Sequence, residues 1–457
     1  MFNLYIIKHT LNMKQYRLEK PGLQNIDFQS LLNKLLQSGG TFAEILHASS
    51  YPKYYYWDKI KHKSIYSSVL SREELWSLVK FLRASQSIKT VIKSENGGHF
   101  SWIKFPDYEK QVHDLDQNTG GRLLTGKSSI DRQDRYKYIS KGIMEEAIAS
   151  SQLEGANTTR NLAKKFLKEG RKPKNKSEQM ILNTYRTMVN IEEEFSQREM
   201  SLDLLLELHT GITLNTLPQR EQGRFRKDSD KIVVSDQSNG LVYHIPPRID
   251  FVKTEIENLI LFANDQLHAE FIHPIPKAII LHFWLGYLHP FTDGNGRLAR
   301  AIFYWYLLKH GYWAISYLPI SKRIRMSSAQ YKKAYIYSEQ DDLDLTYFIH
   351  YNLNRMILAK NDFIEYIETK SRENYKINTN LALNYGFNDR QIELLKYFYV
   401  NPGQKTTSTI HCNTHRISRA TSITDLNSLS KFGFLNQHAQ GKRMIYTPTD
   451  KIKELFK

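Results

Sequence analysis

His289-Pro-Phe-Thr-Asp-Gly-Asn-Gly-Arg-Leu-Ala-Arg300 gathers a base, a carboxylate, two glycines and two arginines within one short run. Pro276 to Leu288 before it has a broad apolar face, with Ile279, Ile280, Phe283, Trp284 and Tyr287 at helical spacing. Asn295 to His310 after it repeats Leu298, Ile302, Trp305 and Tyr306 at three- and four-residue steps, with Gly311 placed to end it. The run therefore predicts a helix–loop–helix with Asp293-Gly294-Asn295-Gly296 in the tight loop.

That geometry sets a chemistry. The first N–H groups of the second helix lack intrahelical acceptors, and the helix dipole makes that end partly positive. Gly294 and Gly296 carry no Cβ, so phosphate oxygens can approach the backbone. Arg297 and Arg300 are one turn apart and can reach one oligophosphate. Asp293 offers a hard oxygen to a divalent cation. His289, at the loop entrance, suits proton transfer near neutrality.

His289-x-Phe291-x-Asp293-Gly294-Asn295-Gly296-Arg297-x-x-Arg300 resembles, without mismatch, the HxFx(D/E)GNGRxxR motif of the Fic family. The resemblance implies transfer of AMP from ATP to a Ser, Thr or Tyr hydroxyl of a protein target, with self-modification left open. It implies His289 as general base, Asp293 as the Mg²⁺ ligand, and the Gly294-Asn295-Gly296 backbone as the anion hole. Arg297 and Arg300 would hold the β- and γ-phosphates, and Phe291 would anchor the loop in the core.

Tyr136 to Glu154 reads as a helix ended by Gly155. A carboxylate in the last turn opposes the dipole, so Glu154 calls for a cation elsewhere. Ser150-x-x-x-Glu154-Gly155 resembles the (S/T)xxxE(G/N) inhibitory motif of Fic proteins, which implies that Glu154 pairs with Arg300 and blocks the γ-phosphate seat. Residues 223–247 predict a hairpin, with Ile232-Val233-Val234 and Leu241-Val242-Tyr243 as strands and Asn239-Gly240 as the turn. It resembles the Fic flap, which implies that the edge from Ile232 to Ser235 seats the target by strand addition and that Val233 and Val234 face the nucleotide. Tyr331 lies where family members often carry an aromatic near adenine; a packing tyrosine is the equal alternative.

The 457 residues are enough for two to four domains. A net charge of +17 suits polyanions in general. One cysteine, Cys412, excludes an internal disulfide framework and fits the cytoplasm. No apolar run is long enough to span a bilayer, and the start carries no cleavage site, with Met13 an alternative initiator. Residues 1–129 predict an accessory helical extension, with helices at Phe28–Gln37 and Ser71–Arg83 and an aromatic cluster, Tyr51 to Asp58, that packs or stacks bases. Arg160 to Lys176 holds eight basic residues and one acidic, by default a solvated face.

The Fic-like core spans 130–372, with helices expected at Ser177–Glu194, Leu202–Thr213, Ser327–Tyr337 and Asp341–Arg355, then a polar linker at Lys370–Asn380. Residues 380–457, with 11 basic and 5 acidic side chains, predict helices at Asn388–Val400 and Arg416–Lys431 around a short one, then two strands about Gln440-Gly441-Lys442. That order resembles a winged helix-turn-helix. Thr414, Arg416, Ser418, Arg419, Thr421 and Ser422 are candidates to face DNA, with protein docking the alternative. His411-Cys412-x-x-His415 is too closely spaced for zinc.

The expectation is a mainly helical protein: a Fic core with a flap, a helical N-terminal extension and a C-terminal winged helix. The activity that the resemblance implies is Mg²⁺-dependent adenylyl transfer held low by Glu154. Phosphate transfer, AMP removal and a DNA-binding regulator that senses ATP are the alternatives, and a homodimer stays open.

Overall fold

The computed structural model describes residues 14–22, 27–120, 124–125, 128–129, 132–235, 240–267, 270–441 and 443–455. Met13 and Asn239 lie outside the described residues.

The N-terminal helices, the shortest excepted, start where a side chain takes up a free N–H group. They are α1 (Phe28–Gln37), α2 (Phe42–Ser50), α3 (Trp57–Ile60) and α4 (Arg72–Ser85), and Thr41 and Ser71 form capping boxes with Glu44 and Glu74. An antiparallel pair, β1 (Ile88–Lys93) and β2 (His99–Trp102), turns at Gly97, and α5 (Tyr108–Leu115) follows. A two-residue pair, β3 (Leu124–Thr125) and β4 (Ser128–Ser129), precedes α6 (Arg132–Leu153). Most of the aromatic cluster is core: Tyr54, Tyr56 and Trp57 are buried, and with Tyr51 the only exposed aromatic the cluster packs and offers no row of rings to bases.

Next come α7 (Arg160–Glu169), α8 (Lys176–Glu193) and α9 (Leu202–Thr213). The flap strands β5 (Val234–Ser235) and β6 (Val242–His244) pair antiparallel. Then follow α10 (Ile249–Ala263), α11 (Pro274–Leu288), α12 (Asn295–Lys309), α13 (Ile320–Arg325) and α14 (Ser328–Gln340). Helix α11 is apolar on nearly every side, and α11 and α12 are both buried almost throughout, which makes them the centre of the core.

Two expectations for the chain after α14 are corrected. Asp341 to Leu345 is not the start of a helix. Leu343 O and Leu345 N bond Ser101 at 3.0 and 2.8 Å, which recruits the segment to the edge of β2, and α15 begins at Thr346. The linker at Lys370–Asn380 is helical, because α15 runs from Thr346 to Tyr385 through a stretch free of proline and glycine, up to Gly386.

The N-terminal region and the residues around α9–α15 share one continuous apolar core. Buried polar ties join them: Tyr54 donates to Asp344 at 2.6 Å, and Arg83 donates to Tyr347 at 3.1 Å. The C-terminal residues form a second core from Ile392, Leu395, Phe398, Leu426, Leu429, Phe434 and Tyr446. Their elements are α16 (Asp389–Val400), α17 (Ser408–His415), α18 (Arg419–Lys431), β7 (Leu435–Gln440), β8 (Arg443–Pro448) and α19 (Ile452–Leu455). Arg416, expected inside a helix, is left-handed at φ 50° and ends α17. No described helix is long and apolar enough to cross a membrane.

Candidate active site

The loop between α11 and α12 is held by its own side chains. Asn295 receives the Phe291 N–H at 3.0 Å and donates to the Phe291 carbonyl at 2.8 Å, so its amide clamps the turn. Phe291 is fully buried and stacks on the His209 ring, with centroids 3.7 Å apart. His209 donates from Nε2 to the Asp293 carbonyl at 2.9 Å and accepts the Gly223 N–H on Nδ1 at 3.0 Å. Burial pushes its pKa down to about 4, which keeps it a neutral bridge between α9, the flap approach and the loop.

His289 caps α11 in the left-handed region at φ 46°, unusual for a residue with a Cβ. Its N–H bonds Leu285 O at 3.0 Å, and its carbonyl accepts from Arg226 Nε at 2.9 Å. Arg226, itself buried, also donates to Pro247 O, and its own N–H bonds Pro290 O at 2.9 Å. The ring leans with Nδ1 towards Gly286 O at 3.4 Å, while Nε2 is buried and has no hydrogen-bond partner. A proton on Nδ1 leaves Nε2 as a free acceptor. Burial, then the charge of His244 nearby, pushes the His289 pKa down to about 3.

His244 has an acceptor at each ring nitrogen: Glu339 Oε2 at 2.7 Å from Nδ1 and Tyr287 O at 2.7 Å from Nε2. Only the imidazolium satisfies both. Burial opposes that charge, yet the Glu339 carboxylate lifts the pKa above its ordinary value.

Helix α6 packs closely on the segment that follows α12. A Cβ on Gly142 would sit 2.2 Å from Ser316 O, so only glycine permits the approach. The buried Glu146 carboxylate accepts from Ser321 N at 2.8 Å and Tyr304 OH at 2.9 Å, fixing the helix in register. Ser150 and Glu154 thereby meet Arg300: Nε donates to Ser150 Oγ at 2.8 Å, and Nη2 donates to Ser150 O at 3.0 Å and Glu154 Oε1 at 2.9 Å. Burial works against the Arg300 charge, but Glu154 holds its pKa above the ordinary value. The Glu154 carboxylate also lies over Gly296, where an added Cβ would fall 2.1 Å from Oε1. Gly155, at φ 94°, turns the chain away.

Arg297 is 1% exposed; Nη1 donates to Ile212 O at 2.9 Å, while Nε and Nη2 have no hydrogen-bond partner. Asp293 Oδ1 lies 3.6 Å from Nη2 and accepts the Gly294 N–H at 2.6 Å. Gly294 is at φ 88°. His289, Gly296, Arg300, Glu154, Val234 and Tyr331 line one cavity together with Tyr243, His244, Lys332 and Ile336. Val233 is only partly buried beside it. Tyr331 OH and His282 Nε2 are 2.8 Å apart, so the tyrosine packs and faces the cavity at once.

The comparisons with known proteins bear on this cavity. Residues 199–307, from the start of α9 through α12, match the Fic/DOC family. The chain contains a Fic domain. The match stops short of α6, so Ser150 and Glu154 rest on their own geometry. Over 116 residues the chain is 34% identical to a protein adenylyltransferase Fic of Nematostella vectensis, covering 25% of this chain and 24% of that one. Over 125 residues it is 32% identical to protein adenylyltransferase fic-1 of Caenorhabditis elegans, covering 27% and 22%. The chain thus spans about a quarter of the length of these relatives. Among solved structures, a Fic family protein from Desulfovibrio desulfuricans G20 is 18% identical, with a TM-score of 0.45 over 75% of this chain and 94% of that one.

Sequence reasoning missed Arg226, His209 and His244. Arg226 lies in the quoted hairpin, but its use depends on two carbonyls far along the chain. His209 stands on an apolar helix face, where a lone histidine gives no distinguishing signal.

Proposed function

We propose that the chain is a protein adenylyltransferase held inactive by Glu154. The carrying observation is the Glu154 carboxylate seated on Arg300 and over Gly296, beside a His289 whose Nε2 is unpartnered. A carboxylate there occupies the place of a phosphate oxygen. In this reading His289 Nε2 takes the proton of a target hydroxyl. The hydroxyl oxygen bonds the α-phosphorus, the bond to the β-phosphate oxygen breaks, and pyrophosphate leaves.

Arg297, whose Nε and Nη2 make no hydrogen bond, and Arg300, once freed, hold the outer phosphates. Asp293 fits a Mg²⁺ ligand, since Mg²⁺ usually takes one or two carboxylates plus substrate phosphates, and no cluster of three acidic, His or Cys side chains stands among the described residues. The ion would offset phosphate charge. Val234 of the flap lines the cavity, which supports the edge from Ile232 to Ser235 as the target seat. The target is a protein bearing a Ser, Thr or Tyr hydroxyl, and the cytoplasm is the proposed location. Residues 380–457, which hold the four helices α16 to α19 and the β7–β8 hairpin around a separate core, are proposed as a winged-helix unit.

The test is label transfer from ATP marked at the α- or the γ-phosphate, with Mg²⁺, onto the chain itself and lysate proteins. The parent, Glu154→Gly, and Glu154→Gly with His289→Ala are compared. α-Label alone, lost with His289→Ala, is the expected result. γ-Label would mean phosphate transfer instead, and no label in any protein would favour a nucleotide sensor.

A further inference from the structure

The C-terminal unit does not present the helix turn that the sequence suggested. Arg416 is turned onto the end of α8, with Nη1 donating to Glu192 Oε2 at 3.1 Å and Nη2 lying 3.5 Å from Glu193. Asn413 Nδ2 donates to the Lys168 carbonyl at 3.1 Å, Thr414 Oγ1 turns back to Ile410 O, and Ser422 is buried on Ser408 O. Ser418 caps α18, and Thr421 Oγ1 turns to it. The last turn of α17 is therefore spent on docking to α7 and α8, which leaves its first turn, α18 and the β7–β8 hairpin facing outward.

Their outward face opens onto a groove whose opposite wall is the end of α7, part of the basic stretch from Arg160 to Lys176. The groove is lined by five cations, Lys165, Arg171, Lys405, Arg419 and Arg443, against one acid, Glu169. Arg171 is committed to Glu178 at 2.6 Å, which leaves about four cations for a ligand. The Lys165 side chain is 68% exposed and pairs only loosely with Glu169, at 3.9 Å, a contact that phosphate can displace. The acid of α18, Asp425, is buried and consumed by Arg390, Asn388 and His411. From Leu426 to Thr449 the sequence holds no acidic residue. Thr409, Asn427, Gln437 and Gln440 add uncharged hydrogen-bonding groups to the lining.

We propose that this groove is a binding site for duplex DNA, with α18 and the hairpin on one side and α7 of the catalytic half supplying backbone contacts on the other. Excess cations beside neutral donors suit phosphates and base edges, and the second helix of a helix-turn-helix fits the major groove. The new element is the composite wall: Lys165 belongs to the helix that follows Glu154 and Gly155 in the chain and packs on α6 through Met144, Ile148, Ala163 and Phe166. The proposal stands apart from AMP transfer.

Fluorescence anisotropy of a labelled mixed-sequence duplex of about 20 base pairs, titrated with the full chain, tests it. Four phosphate contacts predict affinity falling on the order of 100-fold between about 50 and 200 mM salt. Arg419→Glu with Arg443→Glu should abolish binding. Lys165→Glu should weaken it at least about fivefold and lower the salt slope by about one. Lys20→Glu, an equal charge change at an exposed residue outside the groove, should leave it unchanged, with thermal unfolding reporting the fold of each variant. Absence of duplex binding overturns the site. Loss by Lys20→Glu equal to that by Lys165→Glu also overturns it, as does an unchanged Lys165→Glu, which removes the composite wall. Competition by polyglutamate as strong as by unlabelled duplex would mean an acidic protein partner instead.

Discussion

Arg226 links the flap approach to the catalytic loop, because its guanidinium holds the His289 and Pro247 carbonyls from one buried position. Lysine keeps the charge but loses the fork that reaches both. Arg226→Lys, in a Glu154→Gly background, should lower the transfer rate at least tenfold while ATP affinity stays within about twofold, since displacing a base costs rate before binding. An equal loss in affinity would place Arg226 in nucleotide binding instead. Buried neutral histidines give a pH signature. His209 and His289 have pKa values near 4 and 3, below the unfolded value of 6.5, so the unfolded chain binds their protons first as pH falls. Stability should thus drop between pH 6.5 and 4, by about 3 kcal/mol for His209 alone. Urea unfolding at pH 7.5 and 5, with His209→Ala losing part of the difference, checks the sign.

At the scale of elements, the flap is a sheet of three segments rather than a lone hairpin. Gln15 bridges Val242 in parallel, Tyr16 N bonds Val242 O at 2.8 Å, and Val242 N bonds Lys14 O at 3.2 Å. Gln340 then pins this strand to α14 through Leu18 N at 2.9 Å and Tyr16 O at 3.0 Å. The strand occupies the edge of β6 opposite β5. Gln340→Ala should therefore raise amide exchange at Val242, by about tenfold if the two bonds hold it by some 1.4 kcal/mol; unchanged exchange would mean the strand stays without them. Local signals made most elements legible: Ser71 and Asn388 cap helices, and Gly294 and Gly296 mark the loop. Glu154 was legible because its place in the last turn is unfavourable without a cation. Asp341 to Leu345 was not, because its pairing with Ser101 lies across the molecule and overrides local propensity. The flap's third segment escaped for the same reason.

Across the whole molecule, two cores predict two responses to damage. Leu395 is fully buried in the C-terminal core, and Leu395→Ala should cost that unit about 2–5 kcal/mol. Leu78→Ala in α4 should instead weaken the catalytic half, because the N-terminal helices share its core. Unfolding followed by exchange mass spectrometry separates the cases. A uniform loss from Leu395→Ala would mean that the docking of Arg416 on Glu192 fuses the units.

The central claim is that Glu154 closes the phosphate seat. The most direct measurement is the initial rate of α-phosphate label incorporation into the chain at saturating ATP and Mg²⁺, for the parent and Glu154→Gly. The account predicts a rise of at least about tenfold, since removing one carboxylate from Arg300 releases a charge-assisted contact of roughly 1.5–3 kcal/mol. Equal rates in the two proteins, with His289→Ala still abolishing both, would contradict it.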